Sequence, residues 1–71
     1  MPYERNADLP DSVTDNLPQG AQTIYRKAFN SAWEEYSDES DREGIAHRVA
    51  WSAVKESYEK DEDGAWVRIE D

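Results

Sequence analysis

The sequence predicts a mainly α-helical domain: a compact set of three helices, one short and two long, with a small two-stranded sheet formed by the N- and C-terminal segments. Three observations lead there. Ala28-Phe29-Asn30-Ser31-Ala32-Trp33-Glu34-Glu35-Tyr36 and Ala46-His47-Arg48-Val49-Ala50-Trp51-Ser52-Ala53-Val54-Lys55 each set small and large apolar residues at helical spacing. Beyond Gly64, Ala65, Val67 and Ile69 alternate with Trp66, Arg68 and Glu70, which is the period of a strand. With 71 residues and no cysteine, the chain has room for one core and no disulfide or thiolate-zinc staple, so residues 1–71 read as a single domain held by packing.

The elements follow in order. Asp8-Leu9-Pro10-Asp11 reads as a helix start, with Asp8 as cap and Pro10 near the first turn, and Leu9, Val13 and Leu17 form a short apolar row. Asn16-Leu17-Pro18 breaks this helix because a residue before proline is pushed out of the α region, and Pro18 can open the next one. From Gln19 to Tyr36 the apolar residues Ala21, Ile24, Tyr25, Ala28, Phe29, Ala32, Trp33 and Tyr36 make a continuous stripe.

Ser37-Asp38-Glu39 ends the second helix, and Ser40-Asp41-Arg42-Glu43 matches a capping box that starts the third. Down one face of that helix run Ala46, Ala50, Ala53 and Ser57, flanked by Ile45 and Val49 on one side and Trp51, Val54 and Tyr58 on the other. Small residues between large flanks let a neighbouring backbone approach, which predicts that this helix is central. Asp61-Glu62-Asp63-Gly64 is a turn signal, with Gly64 suited to a positive φ. The strand after it needs a partner, and the short alternating segment Pro2-Tyr3-Glu4-Arg5 is the expected one.

Composition narrows the functions. Asp and Glu number 17 against 8 Lys and Arg, a net charge of −9, so the surface as a whole repels phosphate backbones and anionic head groups and favours basic partners or cations. Met1-Pro2-Tyr3-Glu4-Arg5 lacks an apolar signal run, and no stretch approaches the roughly 18 apolar residues that cross a bilayer. A cytoplasmic protein with no direct membrane insertion, monomeric by default, is the expectation.

No residues form a catalytic constellation. The single histidine, His47, has no Ser or Cys partner pattern and no His-x-x-x-His or Glu-x-x-His spacing, and it reads as an imidazole packed on aromatic rings, with a pH-sensitive contact as the functional alternative. No glycine-rich phosphate loop occurs, so neither an enzyme nor a bound cofactor is expected.

Glu59, Asp61, Asp63, Gly64 and Glu70 fall at positions 1, 3, 5, 6 and 12 of a calcium loop. However, position 1 is Glu and a strand would pull the loop open, so an acidic turn is the plainer reading and no metal is assigned. Glu34, Glu35, Asp38, Glu39, Asp41 and Glu43 form a second acidic cluster, which reads as a solvated loop with part of it used in capping. Of the aromatic residues most must be core, and Trp51, at the edge of its helix, is the candidate partner contact. The interaction candidates are therefore His47, Trp51, Glu34, Glu35 and Asp38.

The two aromatic words, with Leu9-Pro10 and Asn16-Leu17-Pro18 upstream and a Trp66-containing tail, resemble the ChaB family over almost the whole chain. That resemblance implies a compact fold of three helices and a small sheet, likened to part of a cyclin box. It also implies a non-enzymatic regulatory role, with a protein partner that is a sodium or calcium/proton antiporter. A nucleic-acid-associated accessory module is the alternative, suggested by ChaB-like segments that occur beside Rho-type N-terminal domains. The charge balance opposes it, since Arg26, Lys27, Arg48 and Lys55 would have to gather into a local patch. Weak divalent-cation binding through the Glu59–Glu70 loop is the remaining alternative.

Overall fold

A computed structural model describes residues 2–69. A 3₁₀ turn at Asn6–Asp8 leads into α1 (Asp11–Thr14), α2 (Gln19–Glu35) and α3 (Arg42–Ser57), and the chain closes with β1 (Tyr58–Lys60) and β2 (Trp66–Arg68). α2 and α3 pack along each other, the N-terminal turn lies on α2, and the β-ribbon continues from α3.

The N-terminal row behaves as its spacing implies: Leu9, Val13 and Leu17 are all buried. The helix begins later than expected, with Pro10 rather than Asp8 as the N-cap. The pre-proline rule that breaks the chain at Leu17 applies equally at Leu9, whose ψ of 155° is extended. Asp8 instead meets Arg5 at 3.1 Å, an exposed pair that holds the Asp8 carboxyl below its ordinary range chiefly through that hydrogen bond.

α2 buries Ala21, Gln22, Tyr25, Phe29 and Ala32 and is the more enclosed of the long helices, which corrects the expectation that α3 is central. Its large rings fill the space that the small residues of α3 leave open. Among the described residues Gln22 is the buried polar one, and its amide donates to the Leu17 carbonyl at 2.7 Å, satisfying a backbone acceptor between α1 and α2.

On α3 the fully enclosed line is Ala46, Ala50 and Val54, while Ala53 and Ser57 are half-buried and Val49 is exposed. The face is turned toward the side of His47 and Trp51, whose rings meet Tyr25 and Phe29 of α2. The capping box does not form. Asp41 is the N-cap, at φ −105° and ψ 42°, and it makes no side-chain cap bond. Its carboxylate folds over Gly44, in the space a Cβ would need, and lies 3.7 Å from Arg48.

The small antiparallel sheet is present, but its strands are not the two termini. β1 pairs with β2 in the register Tyr58↔Arg68, Glu59↔Val67, Lys60↔Trp66. Tyr58–Lys60 leaves the helix, with Tyr58 extended at φ −133° and ψ 153°. A hairpin closed by the turn before β2 has a far shorter loop to order than a pairing across the whole chain. That turn is well built. Gly64 takes a φ of 83°, and an Asp61 carboxylate oxygen accepts from the amides of Asp63 and Ala65, each at 2.9 Å.

The N-terminal segment is held by a side chain instead of a strand. The Asn30 carboxamide accepts from the Tyr3 amide and donates to the Tyr3 carbonyl, both at 2.8 Å, and so mimics the exchange a neighbouring strand would make.

Candidate functional site

The aromatic residues form a continuous run across one side of the helix pair. Trp33 stacks on Phe29 at 5.9 Å, Tyr3 and His47 lie on Phe29 at 4.9 and 4.7 Å, and Trp51 and Tyr25 meet edge to face at 5.2 Å. Trp66 of β2 then lies on Trp51 at 5.8 Å, with the Lys60 ammonium 5.7 Å from the Trp66 ring centroid. Helical spacing explains the inner part of this run: Tyr25, Phe29 and Trp33 on α2, and His47 and Trp51 on α3, are each one turn apart.

At its centre the Tyr25 hydroxyl and Nδ1 of His47 share a hydrogen bond. Tyr25 is fully enclosed, and burial, with a smaller contribution from Tyr3, pushes its hydroxyl up to about 12. Burial and the Glu43 carboxylate likewise push the Tyr3 hydroxyl up.

Among the interaction candidates, His47 and Trp51 are brought together on α3 and are both half-buried. Glu34, Glu35 and Asp38 are exposed where α2 ends and the chain turns toward α3. The two groups do not converge. Trp51 packs at the level of Tyr25, ten residues before Glu35, which is about 15 Å along α2. Arg42 stands between loop and core, its guanidinium 3.9 Å from the Trp33 ring and its Nε donating to the Trp33 carbonyl at 2.6 Å.

The calcium-loop spacing runs through the hairpin. Glu59 lies in β1 opposite Val67, and Asp61 is committed to the turn amides. Glu70 lies outside the described residues. Among the described residues no three His, Asp or Glu side chains are placed to hold a metal ion, no surface pocket forms, and no helix is long and apolar enough to cross a membrane.

The sequence reading missed three contributors: the Tyr25–His47 bond, the Asn30 clamp on Tyr3 and the Arg42–Trp33 contact. The first joins residues 22 apart and the second residues 27 apart, so no local spacing could reveal them. The third had a usable signal, an Arg at the start of the helix that follows a Trp-ended one.

The ChaB family pattern matches residues 9–68. Proteins of Escherichia coli strain K12, Escherichia coli O157:H7 and Shigella flexneri, each named "Putative cation transport regulator ChaB", are 51% identical over 72 residues, covering 93% of this chain and 95% of theirs. The NMR solution structure of a protein with that name superimposes with a TM-score of 0.85 at 48% identity, covering 97% of this chain and all of the other. Both the helix-pair packing and the sequence that builds it are thus shared at a level far above fold likeness alone, and the chain belongs to the ChaB family.

Proposed function

We propose that this chain regulates cation transport as a non-enzymatic binding module, engaging a basic cytoplasmic segment of a sodium or calcium/proton antiporter. The observation that carries the reading is the 51% identity, over nearly full length, to proteins named "Putative cation transport regulator ChaB". The acidic surface supports it. A net charge of −9 draws basic segments, and Glu34, Glu35 and Asp38 stand exposed together at one end of α2. Trp51 supplies a flat apolar contact on the same molecule. The offset of roughly 15 Å along α2 corresponds to about five residues of extended chain, a length that a linear segment covers.

The test has two parts. Antiport is measured in everted membrane vesicles that contain a sodium or calcium/proton antiporter, with and without the purified protein. The protein is also used to capture synthetic peptides covering the antiporter's cytoplasmic loops. The expected result is altered transport and capture of a Lys/Arg-rich loop, both lost when Glu34, Glu35 and Asp38 are replaced together by Lys. Unchanged transport and no captured loop would refute the proposal.

A further inference from the structure

The β-ribbon carries a second surface, independent of the acidic rim. Ladder hydrogen bonds run from the Ile69 amide to the Ser57 carbonyl at 2.8 Å and from the Asp61 amide to the Ala65 carbonyl at 2.8 Å. In an antiparallel ladder, bonded and non-bonded pairs alternate, so Glu59 and Val67 face each other as a bonded pair. The non-bonded pairs are Tyr58 with Arg68 and Lys60 with Trp66, and their backbone N–H and C=O groups point away from the ribbon.

On the β1 side this edge is partly taken, because the Tyr58 amide bonds the Val54 carbonyl at the end of α3. On the β2 side, among the described residues, the backbone groups of Trp66 and Arg68 have no partner. The side chains there are unusual for this molecule. Of the exposed large apolar residues among the described ones, Val49, Val67 and Ile69, two belong to this edge segment, at 39% and 37% exposure. The other face of the ribbon carries Arg68 opposite Tyr58 and Lys60 opposite Trp66. Arg68 and Lys60 make no ion pair within the described residues, in a chain where acids outnumber bases by 17 to 8.

We propose that β2 is a docking edge for an extended segment of a partner protein in which apolar and acidic residues alternate. The free N–H and C=O groups of Trp66 and Arg68 would pair with the segment's backbone, as in strand addition. The period of two then sorts its side chains. Apolar ones fall beside Val67 and Ile69, and acidic ones fall on the opposite face, beside Arg68. Arg68, on the edge strand itself, is the cation that lies beside the docked segment, and with charges acting over about 8 Å at physiological salt it selects acidic side chains at that position even though the whole molecule is acidic.

The probes are blocked eight-residue peptides of alternating valine and glutamate or valine and lysine, titrated into the ¹⁵N-labelled protein and followed by amide NMR. The glutamate peptide is expected to shift the amides of residues 66–69 and to bind about tenfold more tightly than the lysine peptide. Arg68→Glu is expected to reverse that preference. Arg68→Pro removes the outward N–H without touching a ladder bond, so it is expected to abolish the shifts while the amides of Glu59 and Val67 stay protected from exchange.

Three results would overturn the proposal. One is no shift at residues 66–69 at millimolar peptide, and another is equal binding of both peptides with Arg68 intact. The third is concentration-dependent shifts at these amides without peptide, which would make a second copy of the chain the occupant of the edge.

Discussion

The contact between Tyr58 and Gly20 ties the start of β1 to the start of α2, and it can be tested by a double-mutant cycle. The Tyr58 hydroxyl occupies the position of a Cβ on Gly20, while the ring carbon behind it, Cζ, is 3.5 Å from that position. In Gly20→Ala the hydroxyl must therefore move, and overpacking of this kind costs about 1–3 kcal/mol. Alanine in place of glycine in a helix offsets roughly 0.5–1 kcal/mol of that. The net loss should be about 1–2 kcal/mol, a fall in Tm of roughly 5–15 °C for a domain of this size.

In a Tyr58→Phe background the remaining ring carbon leaves an ordinary van der Waals contact, so the same Gly20→Ala change should be neutral or stabilising by up to about 1 kcal/mol. Urea unfolding followed by tryptophan fluorescence on the four proteins gives the coupling directly. A coupling of about 1 kcal/mol or more is expected. Additivity within about 0.5 kcal/mol would refute the contact as described.

Three further outcomes follow from the core. Because burial raises the Tyr25 hydroxyl to about 12, its contribution to stability should be intact below pH 10 and lost as pH rises from 10 toward 12; Tyr25→Phe should flatten that part of the stability–pH curve. Val54→Ala should cost about 2 kcal/mol in denaturant melts and Val49→Ala less than about 0.5 kcal/mol, since one residue is fully enclosed and the other exposed; equal costs would mean that the α3 face is turned differently. Asn30→Ala should remove both bonds to Tyr3, costing about 1–2 kcal/mol and opening the Tyr3 amide to rapid hydrogen exchange, whereas a protected amide would show that another group holds the segment.

The interaction candidates show how far a linear reading reaches into function. Glu34, Glu35 and Asp38 were recognisable as an exposed acidic group because helix ends and charged turns are solvated for local reasons. The half-buried setting of Trp51 depends on Tyr25 from another helix and on Trp66 from the ribbon. Nothing in the residues around Trp51 specifies either neighbour. The same holds for His47, whose aromatic surroundings were foreseen but whose hydrogen bond to Tyr25 was not.

Local chemistry in the sequence determined the short first helix with its Leu9, Val13 and Leu17 row, the span of α2, the break at Pro18 and the positive φ of Gly64. Each depends on interactions within a few residues, namely proline sterics, helical period and glycine's freedom at φ > 0. Tertiary structure alone decided that Tyr58–Lys60 leaves the helix to become the strand partner of Trp66–Arg68, that Asn30 holds the N-terminal segment, and that α3 turns its Val54 side inward. These outcomes depend on which surfaces meet. A strand's pairing needs carry no address, so loop-closure entropy and the shape of the already packed helices choose the partner.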